Sequence, residues 1–175
     1  YEANLNPGGK AITIQGTLNG DGTLASTIDA QQFGRVFTFS SGETTDTVIK
    51  DLVITGGSAG IGGGVFCNQN SNPTISGCTI EGNTAGNYGG GIYCDSSSSP
   101  TISGSFICGN EPDQIVGSWT DAGDNDVCDD PDDPPVVINV PGDYPTIQGA
   151  INASSNGDVI NIAAGTYNEG NLNPG

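Results

Sequence analysis

A repeat with a period of 26 to 27 residues constrains the fold of this chain more than any other feature. Residues 49–57 read IKDLVITGG, residues 75–83 read ISGCTIEGN, and residues 102–110 read ISGSFICGN. A second motif recurs between them, as GGGVFC at 62–67 and GGGIYC at 89–94. A period of this length indicates a solenoid or another array of stacked units.

Each repeat carries short β-branched segments separated by Gly, Asn, Ser and Pro, which is typical of strands and turns. Three strands of about five residues, rising ~3.3 Å per residue, and three turns fill about 27 residues, which is one coil of a parallel β-helix. Each coil leaves an apolar inner face that only the next coil covers. We therefore predict an all-β, right-handed parallel β-helix in which equivalent residues form ladders of Ile on Ile, Asn83 on Asn110 and Cys67 on Cys94.

The charge balance bears on partners and location. The chain has a formal net charge of -17, with only 3 Lys and Arg residues. This balance argues against nucleic acid, whose phosphates demand basic residues, and against anionic membrane surfaces. No apolar run approaches the ~18 residues of a transmembrane helix, so we expect no membrane insertion. Five cysteines favour an oxidising compartment, and we expect an extracellular or cell-surface location.

A short duplication links the two ends of the sequence. Residues 1–8 read YEANLNPG and residues 168–175 read NEGNLNPG, an offset of 167 residues. The 27-residue coil is therefore nested inside a longer unit. One interpretation is a coil edge that recurs by chance; the other is a window from a tandem array, or a subunit whose ends join those of its neighbours. The predicted unit–unit junction consists of Asn4, Leu5, Asn6, Pro7, Asn171, Leu172, Asn173 and Pro174.

Three regions follow from these patterns. Residues 1–110 are predicted to be β-helix coils, residues 111–135 an acidic, Pro-rich excursion or linker, and residues 136–175 a cap helix with the first strands of a further unit. Apolar residues spaced i, i+3 and i+4 predict one short helix near 146–156, with Thr146 as its N-cap and Gly157 just beyond its end. Such a helix would cover the open end of a β-helix.

Two kinds of site come from residue type and spacing. Asp121, Asp124 and Asp126 are candidate ligands for Ca²⁺, which prefers carboxylate and carbonyl oxygens, although a plain solvated acidic linker explains the same tract. Cys67 and Cys94 fall in register on adjacent coils, so they either form a disulfide or stack as reduced thiols in the core. Cys108 and Cys128 bracket the start of the acidic tract, and a second disulfide would tie it down.

The arrangement resembles the right-handed parallel β-helix superfamily of pectate lyases and pectinesterases. The segment YPTIQGAINA at 144–153 and the following GDVINI and GTYNE are similar to the cap and first strands of pectinesterase-type folds. The coil GNTAGNYGGGIY at 82–93 is similar to repeats of bacterial surface proteins, both polymorphic outer-membrane-protein-like autotransporters and planctomycete-type secreted proteins. In that superfamily the cap precedes the coils, whereas here it follows them.

The resemblance leaves function open, because this fold hosts enzymes and inert rods. The motifs of a pectinesterase active site are not found, the chain has no His, and Lys50–Asp51 is the only basic–acidic neighbour pair on a core coil. We therefore expect a non-enzymatic extracellular structural repeat that stacks head-to-tail with itself into a filament or surface fibre. The alternatives are an adhesin or autotransporter passenger fragment, or a module that binds or cleaves acidic glycans through Tyr88, Tyr93 and Trp119.

Overall fold

The computed structural model describes residues 3–128, 137–154 and 159–167, and the chain divides into two compact units, Tyr1–Pro131 and Asp132–Gly175. The elements of the first unit are β1 (Thr13–Gln15), β2 (Thr27–Asp29), β3 (Phe37–Phe39), β4 (Val48–Lys50), β5 (Val53–Thr55), β6 (Ser58–Ile61), β7 (Val65–Cys67), β8 (Thr74–Ser76), β9 (Thr79–Ile80), β10 (Thr84–Tyr88), β11 (Ile92–Cys94), β12 (Thr101–Ser103), β13 (Phe106–Ile107), β14 (Ile115–Val116), β15 (Thr120–Asp121) and β16 (Asp126–Val127).

These strands form three parallel sheets that run along the axis of a solenoid of about five coils. The first sheet has the order β1-β4-β8-β12-β15, the second β16-β13-β9-β5-β2, and the third β14-β11-β7-β3. Successive strands of the chain visit the three sheets in turn, and every neighbouring pair is parallel. Strands β6 and β10 form a small two-stranded sheet at the side. The predicted parallel β-helix is confirmed.

The core consists of ladders of inward-pointing side chains. In the first sheet Ile49 pairs with Ile75 and Ile75 with Ile102, as the internal repeat predicts. In the second sheet Ile54 and Ile80 are likewise in register. All five side chains have 0% exposure, while the residues on either side of each are only partly buried or exposed. This alternation with a period of two is what places one face of a short strand inside and the other outside.

Residues 111–128 differ from the prediction, which assigned them to an excursion. They form β14, which completes the fourth coil, and β15 and β16, which begin a fifth coil of the solenoid. The repeat is hidden in the sequence because this coil contains fewer residues than the others. Thr101 pairs with Thr120 rather than with a residue 27 positions on. Ile115, Trp119 and Val127 nevertheless pack against the core, and that packing accounts for the continued winding.

The second unit contains strand β17 (Val137–Val140), helix α1 (Ile147–Ala153) and strand β18 (Val159–Ile162). The two strands pair in parallel, with Val140 opposite Ile162. Thr146 is the N-cap, as predicted, and its hydroxyl accepts a hydrogen bond from the Gly149 N–H at 3.0 Å. The helix ends earlier than predicted, because Ser154 adopts an extended conformation; Gly157 lies outside the described residues.

Helix α1 packs on β17 and forms a small core of its own. Ile138, Val140 and Ala150 are buried there, and Ile147 and Ile160 pack against them. Within the residues that the structure describes, no helix is long and apolar enough to cross a membrane.

Candidate functional site

The start of the first unit presents free strand edges. Strands β1 and β2 are the outermost strands of the first and second sheets, so one side of each backbone has no strand partner among the described residues. Their inward residues Ile14 and Ile28 are only half-buried, and nearby Leu18 is 52% exposed. An edge of this kind is a template for pairing with another strand.

The predicted junction residues at this end contact the third sheet. The N–H of Leu5 donates to the carbonyl of Val36 at 2.9 Å, and the carbonyl of Leu5 accepts from the N–H of Thr38 at 2.8 Å. Leu5 thus forms a parallel bridge with Phe37 and begins a further coil.

The neighbours of Leu5 differ in burial, since Asn4 and Asn6 are exposed and Pro7 is buried. The backbone of Asn4 is hydrogen-bonded to the carbonyl of Arg35, and Asn6 donates from its side chain to Ser40 Oγ at 3.4 Å. The other half of the predicted junction, Asn171, Leu172, Asn173 and Pro174, lies outside the described residues.

Strand β18 presents a second free edge, in the second unit. It pairs with β17 on one side only among the described strands. Ile160 and Ile162 lie on the face that carries the buried Ile138 and Val140, yet Ile162 is 50% exposed. This strand therefore has a free backbone edge and an apolar residue without full cover.

The far end of the first unit carries a disulfide. Strands β14, β15 and β16 are the last of their sheets, and a disulfide joins Cys108 to Cys128 with a Cα–Cα distance of 5.0 Å. This bond attaches the residue after β16 to the residue after β13 in the preceding coil.

The three aspartates predicted to bind calcium do not form one ligand set. Asp121 lies on the first sheet, Asp126 on the second, and Asp124 between them in a left-handed conformation with φ 58°. Asp121 Oδ1 instead accepts hydrogen bonds from the Gly123 N–H at 2.9 Å and from Asn125 Nδ2 at 2.7 Å. Calcium binding stays an untested prediction.

Another group in the described chain has the donor types and spacing of a metal site. It consists of Cys108, Asp126 and Cys128, but the two cysteine sulfurs are joined in the disulfide. Disulfide sulfurs offer no thiolate ligand, so this group is not a metal site.

Cys67 and Cys94 are in register but carry free thiols. Of the two alternatives predicted for them, the structure shows the reduced ladder and not the disulfide. Both side chains point into the core, where they are 0% and 3% exposed. A hydrogen bond between the thiols, together with burial, raises the pKa of Cys67. Burial likewise raises the pKa of Cys78 to about 11. These thiols fill the core as small apolar groups.

A column of stacked side chains runs along the outside of the third sheet. The rings of Phe66 and Tyr93 stack with their centroids 5.7 Å apart and an interplanar angle of 9°. The guanidinium of Arg35 lies 4.4 Å from the Phe66 centroid, and its Nε donates to the Ile61 carbonyl at 3.0 Å. Burial lowers the pKa of Arg35. The Phe66 ring is therefore packed against both Arg35 and Tyr93 within the column.

The three residues predicted to contact a glycan lie in three different environments. Tyr93 belongs to the stacked column and is half-buried, while Trp119 is half-buried against the core. Tyr88, at the end of β10, is 58% exposed. Lys50 and Asp51 form an ion pair at 3.7 Å with 36% and 23% exposure, and Asp51 also accepts from Gln15 Nε2 at 3.2 Å. The ion pair is a surface contact within one coil, and the hydrogen bond from Gln15 joins adjacent coils.

Buried Asn83 and Asn110 connect three successive coils. Asn83 Oδ1 accepts the Gly57 N–H of the preceding coil at 2.9 Å, and Asn83 Nδ2 donates to the Ile54 carbonyl at 3.0 Å. Asn110 repeats the second contact, donating to the Ile80 carbonyl at 2.9 Å. The predicted Asn ladder is confirmed.

A buried carboxylate between β3 and β4 was missed by sequence reasoning. Glu43 is 1% exposed and accepts hydrogen bonds from the Gly9 N–H at 2.9 Å, the Ser41 N–H at 2.9 Å and the Ser71 hydroxyl at 2.7 Å. Burial raises its pKa, but these three donors together outweigh burial and hold the pKa below its ordinary value. The available signal was the ladder spacing, since Ser71 follows Glu43 by 28 residues and Ser98 follows Ser71 by 27 residues.

The fold and these ladders define a right-handed β-helix protein. The family model described as "right handed beta helix region" matches residues 6–122, which is more than half of the chain and includes most of the coils. The chain belongs to this family, whose fold occurs in enzymes and in proteins that catalyse nothing. No curated protein and no solved structure gives a significant match.

Proposed function

We propose that this chain is a non-enzymatic extracellular building block that stacks head-to-tail into a filament or surface fibre. The observation that carries the proposal is the pair of free edges described above: β18 on the second unit, and β1 with β2 at the start of the first. The duplication of residues 1–8 at 168–175 supports it, because it marks a unit that begins again after 167 residues. Two different surfaces that join in a chain of copies build an open filament when the rotation does not close.

The interior of the solenoid suits a mechanical role. Parallel backbone hydrogen bonds, the Ile ladders and the buried Asn83–Asn110 contacts all run along the axis. Each added coil buries the inner face of the one before it, so stability grows by nearest-neighbour terms as the rod lengthens.

The carbohydrate alternative has less support in the geometry. Tyr93 uses its ring to pack on Phe66, and Trp119 packs on the core, so of the three residues expected to contact a glycan only Tyr88 presents a largely exposed ring. For catalysis, Lys50 and Asp51 pair with each other on the surface. The ionisable side chains described above thus serve contacts within and between coils.

Electron microscopy of the full chain across a concentration series tests the proposal. Fibres are expected, with an axial rise of about 30 Å per chain for about six coils at ~4.8 Å each. Because the net charge of -17 opposes association, fibres should lengthen as added salt screens the repulsion. Short rods of constant length at every concentration and salt level would contradict the stacking function.

A further inference from the structure

We propose that β18 of one copy pairs in parallel with β2 of a second copy, so that the second sheet continues across the junction as β17-β18-β2-β5. This inference rests on the proposed stacking function and specifies the surface that carries it. The pairing requires two free edges, a matching register and a matching apolar ladder.

Both strands have a free edge on the required side. Strand β2 is the outermost strand of the second sheet, beyond β5, and β18 has β17 on one side only among the described strands. Each is part of an all-parallel arrangement, in which β2 pairs with β5 and β17 with β18. Parallel addition therefore continues the pattern already present on both sides.

The coil spacing sets the register. In each coil the chain passes from an inward residue of the second sheet to one of the third after 8 to 12 residues, as the pairs Ile28 and Phe37, Ile54 and Val65, Ile80 and Ile92, and Ile107 and Ile115 show. The coil before Ile28 has Leu5 in the third-sheet position, opposite Phe37.

The duplication connects this spacing to β18. Leu172 is the counterpart of Leu5 in the duplicated octapeptide. Counting back 8 to 12 positions from residue 172 reaches residues 160–164, which include both Ile160 and Ile162. Either isoleucine of β18 would then lie opposite Ile28. At a junction of separate copies, Leu5 of the receiving copy already occupies the place beside Phe37.

The side chains at the two edges are complementary. The second-sheet ladder runs from Val127 through Ile107, Ile80 and Ile54 to the half-buried Ile28 at the edge. On β18, Ile162 is 50% exposed although it lies on the inner face. Pairing would cover both and extend the ladder into Ile138 and Val140 of the small core.

Chain length favours a second copy over the same chain. Pairing β18 with β2 of its own chain places β17 six strand spacings from β16, about 29 Å at ~4.8 Å each. The chain between Val127 and Val137 covers about 33 Å when fully extended. Closure within one chain would therefore require nearly complete extension along the rod, with the loss of conformational freedom that this entails.

Cysteine cross-linking between separately purified variants tests both the pairing and its register. Asn161→Cys provides one partner, on the exposed face of β18. Thr27→Cys reports the register with Ile162 opposite Ile28, and Asp29→Cys reports the register with Ile160 there. Thr13→Cys, exposed on the neighbouring edge strand β1, is the matched control. Mixing ensures that a cross-linked species on non-reducing gels joins two copies.

The expected result is a cross-linked dimer from Asn161→Cys with one of the two β2 variants, at least ten-fold more abundant than with Thr13→Cys. Equal cross-linking to Thr13→Cys, or none while electron microscopy shows fibres, overturns the pairing but leaves stacking intact. No cross-link and no fibres overturn both. A cross-link that forms only within a doubly substituted chain, and never between mixed single variants, overturns the second-copy assignment.

A pair of lysine variants provides an independent test. Ile162 and Val159 are 50% and 48% exposed but lie on opposite faces of β18. Ile162→Lys should abolish fibres, because it places a charge in the continued ladder, whereas Val159→Lys should leave them. Similar fibre formation by both variants would overturn the proposal.

Discussion

The side-chain nitrogen of Asn83 lies 2.9 Å from Oδ1 of Asn110, one coil further along the axis, and donates a hydrogen bond to it. The same Oδ1 also accepts from the Asn83 backbone N–H at 3.1 Å. Gln114 continues the column, since its Oε1 accepts from Asn110 Nδ2 at 2.9 Å. These residues are 1%, 1% and 5% exposed. The column therefore supplies hydrogen-bond partners to backbone groups of the turns that water does not reach.

Asn83→Ala should lower the free energy of unfolding by about 2 kcal/mol, because it leaves the buried Gly57 N–H without a partner and removes one of the two donors to the Ile54 carbonyl, the other being the Glu81 N–H. The matched control is Asn87→Ala, where an exposed side chain donates to the Gly60 carbonyl at 3.2 Å; a change within about 0.5 kcal/mol is expected there. Urea denaturation measures both. Equal losses of stability in the two variants would show that the buried hydrogen bonds of Asn83 contribute no more than the exposed one of Asn87.

Glu43→Gln should destabilise the protein by about 1–3 kcal/mol near neutral pH, because one accepting oxygen is replaced by a donor that faces an N–H or O–H group. Since the pKa of Glu43 is held below its ordinary value in the native state, its contribution is present above the unfolded-state pKa and is lost as pH falls through the native pKa. The difference between wild type and variant should therefore shrink below about pH 5.

Denaturation curves at several pH values test this expectation. Glu81→Gln, at an exposed position directly after β9, is the matched control and should stay within about 0.5 kcal/mol of wild type. A difference for Glu43→Gln that stays constant down to the lowest pH would refute the linkage.

The fold could be predicted where residues recur with the period of the coil, and could not be predicted where a coil departs from that period. Ile49, Ile75 and Ile102 recur with a spacing that only a stacked coil explains, so strands, ladders and inner face all follow from the sequence. The fifth coil was missed because Thr101 pairs with Thr120 after a shortened turn. Strands pair by backbone register and do not need loops of equal length. The coil therefore continues although its shorter turn removes the 27-residue repeat from the sequence.

The sites were less predictable, because they depend on where side chains point. Cys67 and Cys94 were correctly placed in register, but in-register residues also stack as thiols, and sequence alone does not distinguish the two states. Asp121 and Asp126 are close in sequence but belong to different sheets. Glu43 belongs to no local motif and left only the ladder spacing as a signal, because its three donors come from Gly9, Ser41 and Ser71.

Loss of the disulfide should loosen the last coil of the first unit. Cys108 and Cys128 are separated by 20 residues, and closing a loop of that length stabilises the native state by about 3 kcal/mol in the chain-entropy model. Cys108→Ser with Cys128→Ser should lower stability by up to that amount. Hydrogen exchange should rise at Val127 and Cys128 and change little at Ile75 and Ile80, whose strands lie mid-stack. Uniform acceleration across all coils would contradict this local effect.

The glycine triplet before β11 should be intolerant of alanine, for reasons of space. A Cβ at Gly91 would clash with the Gln114 carbonyl oxygen and lie 2.9 Å from Asn110 Nδ2, and both residues belong to the buried column. A Cβ at Gly60, by contrast, would meet no atom within 4 Å. Gly91→Ala should therefore destabilise the protein by about 2 kcal/mol or more, since the clash is with backbone in a packed coil.

Gly60→Ala is the matched control, expected to stay within about 0.5 kcal/mol of wild type. Thermal and urea denaturation of both variants measures the contrast. A double variant, Gly91→Ala with Asn83→Ala, separates the mechanisms: the two losses should fall short of additive, because both disrupt hydrogen bonds of the same column. Full additivity would mean that Gly91 acts through the third sheet alone, and the close approach to Asn110 would then carry no energetic weight.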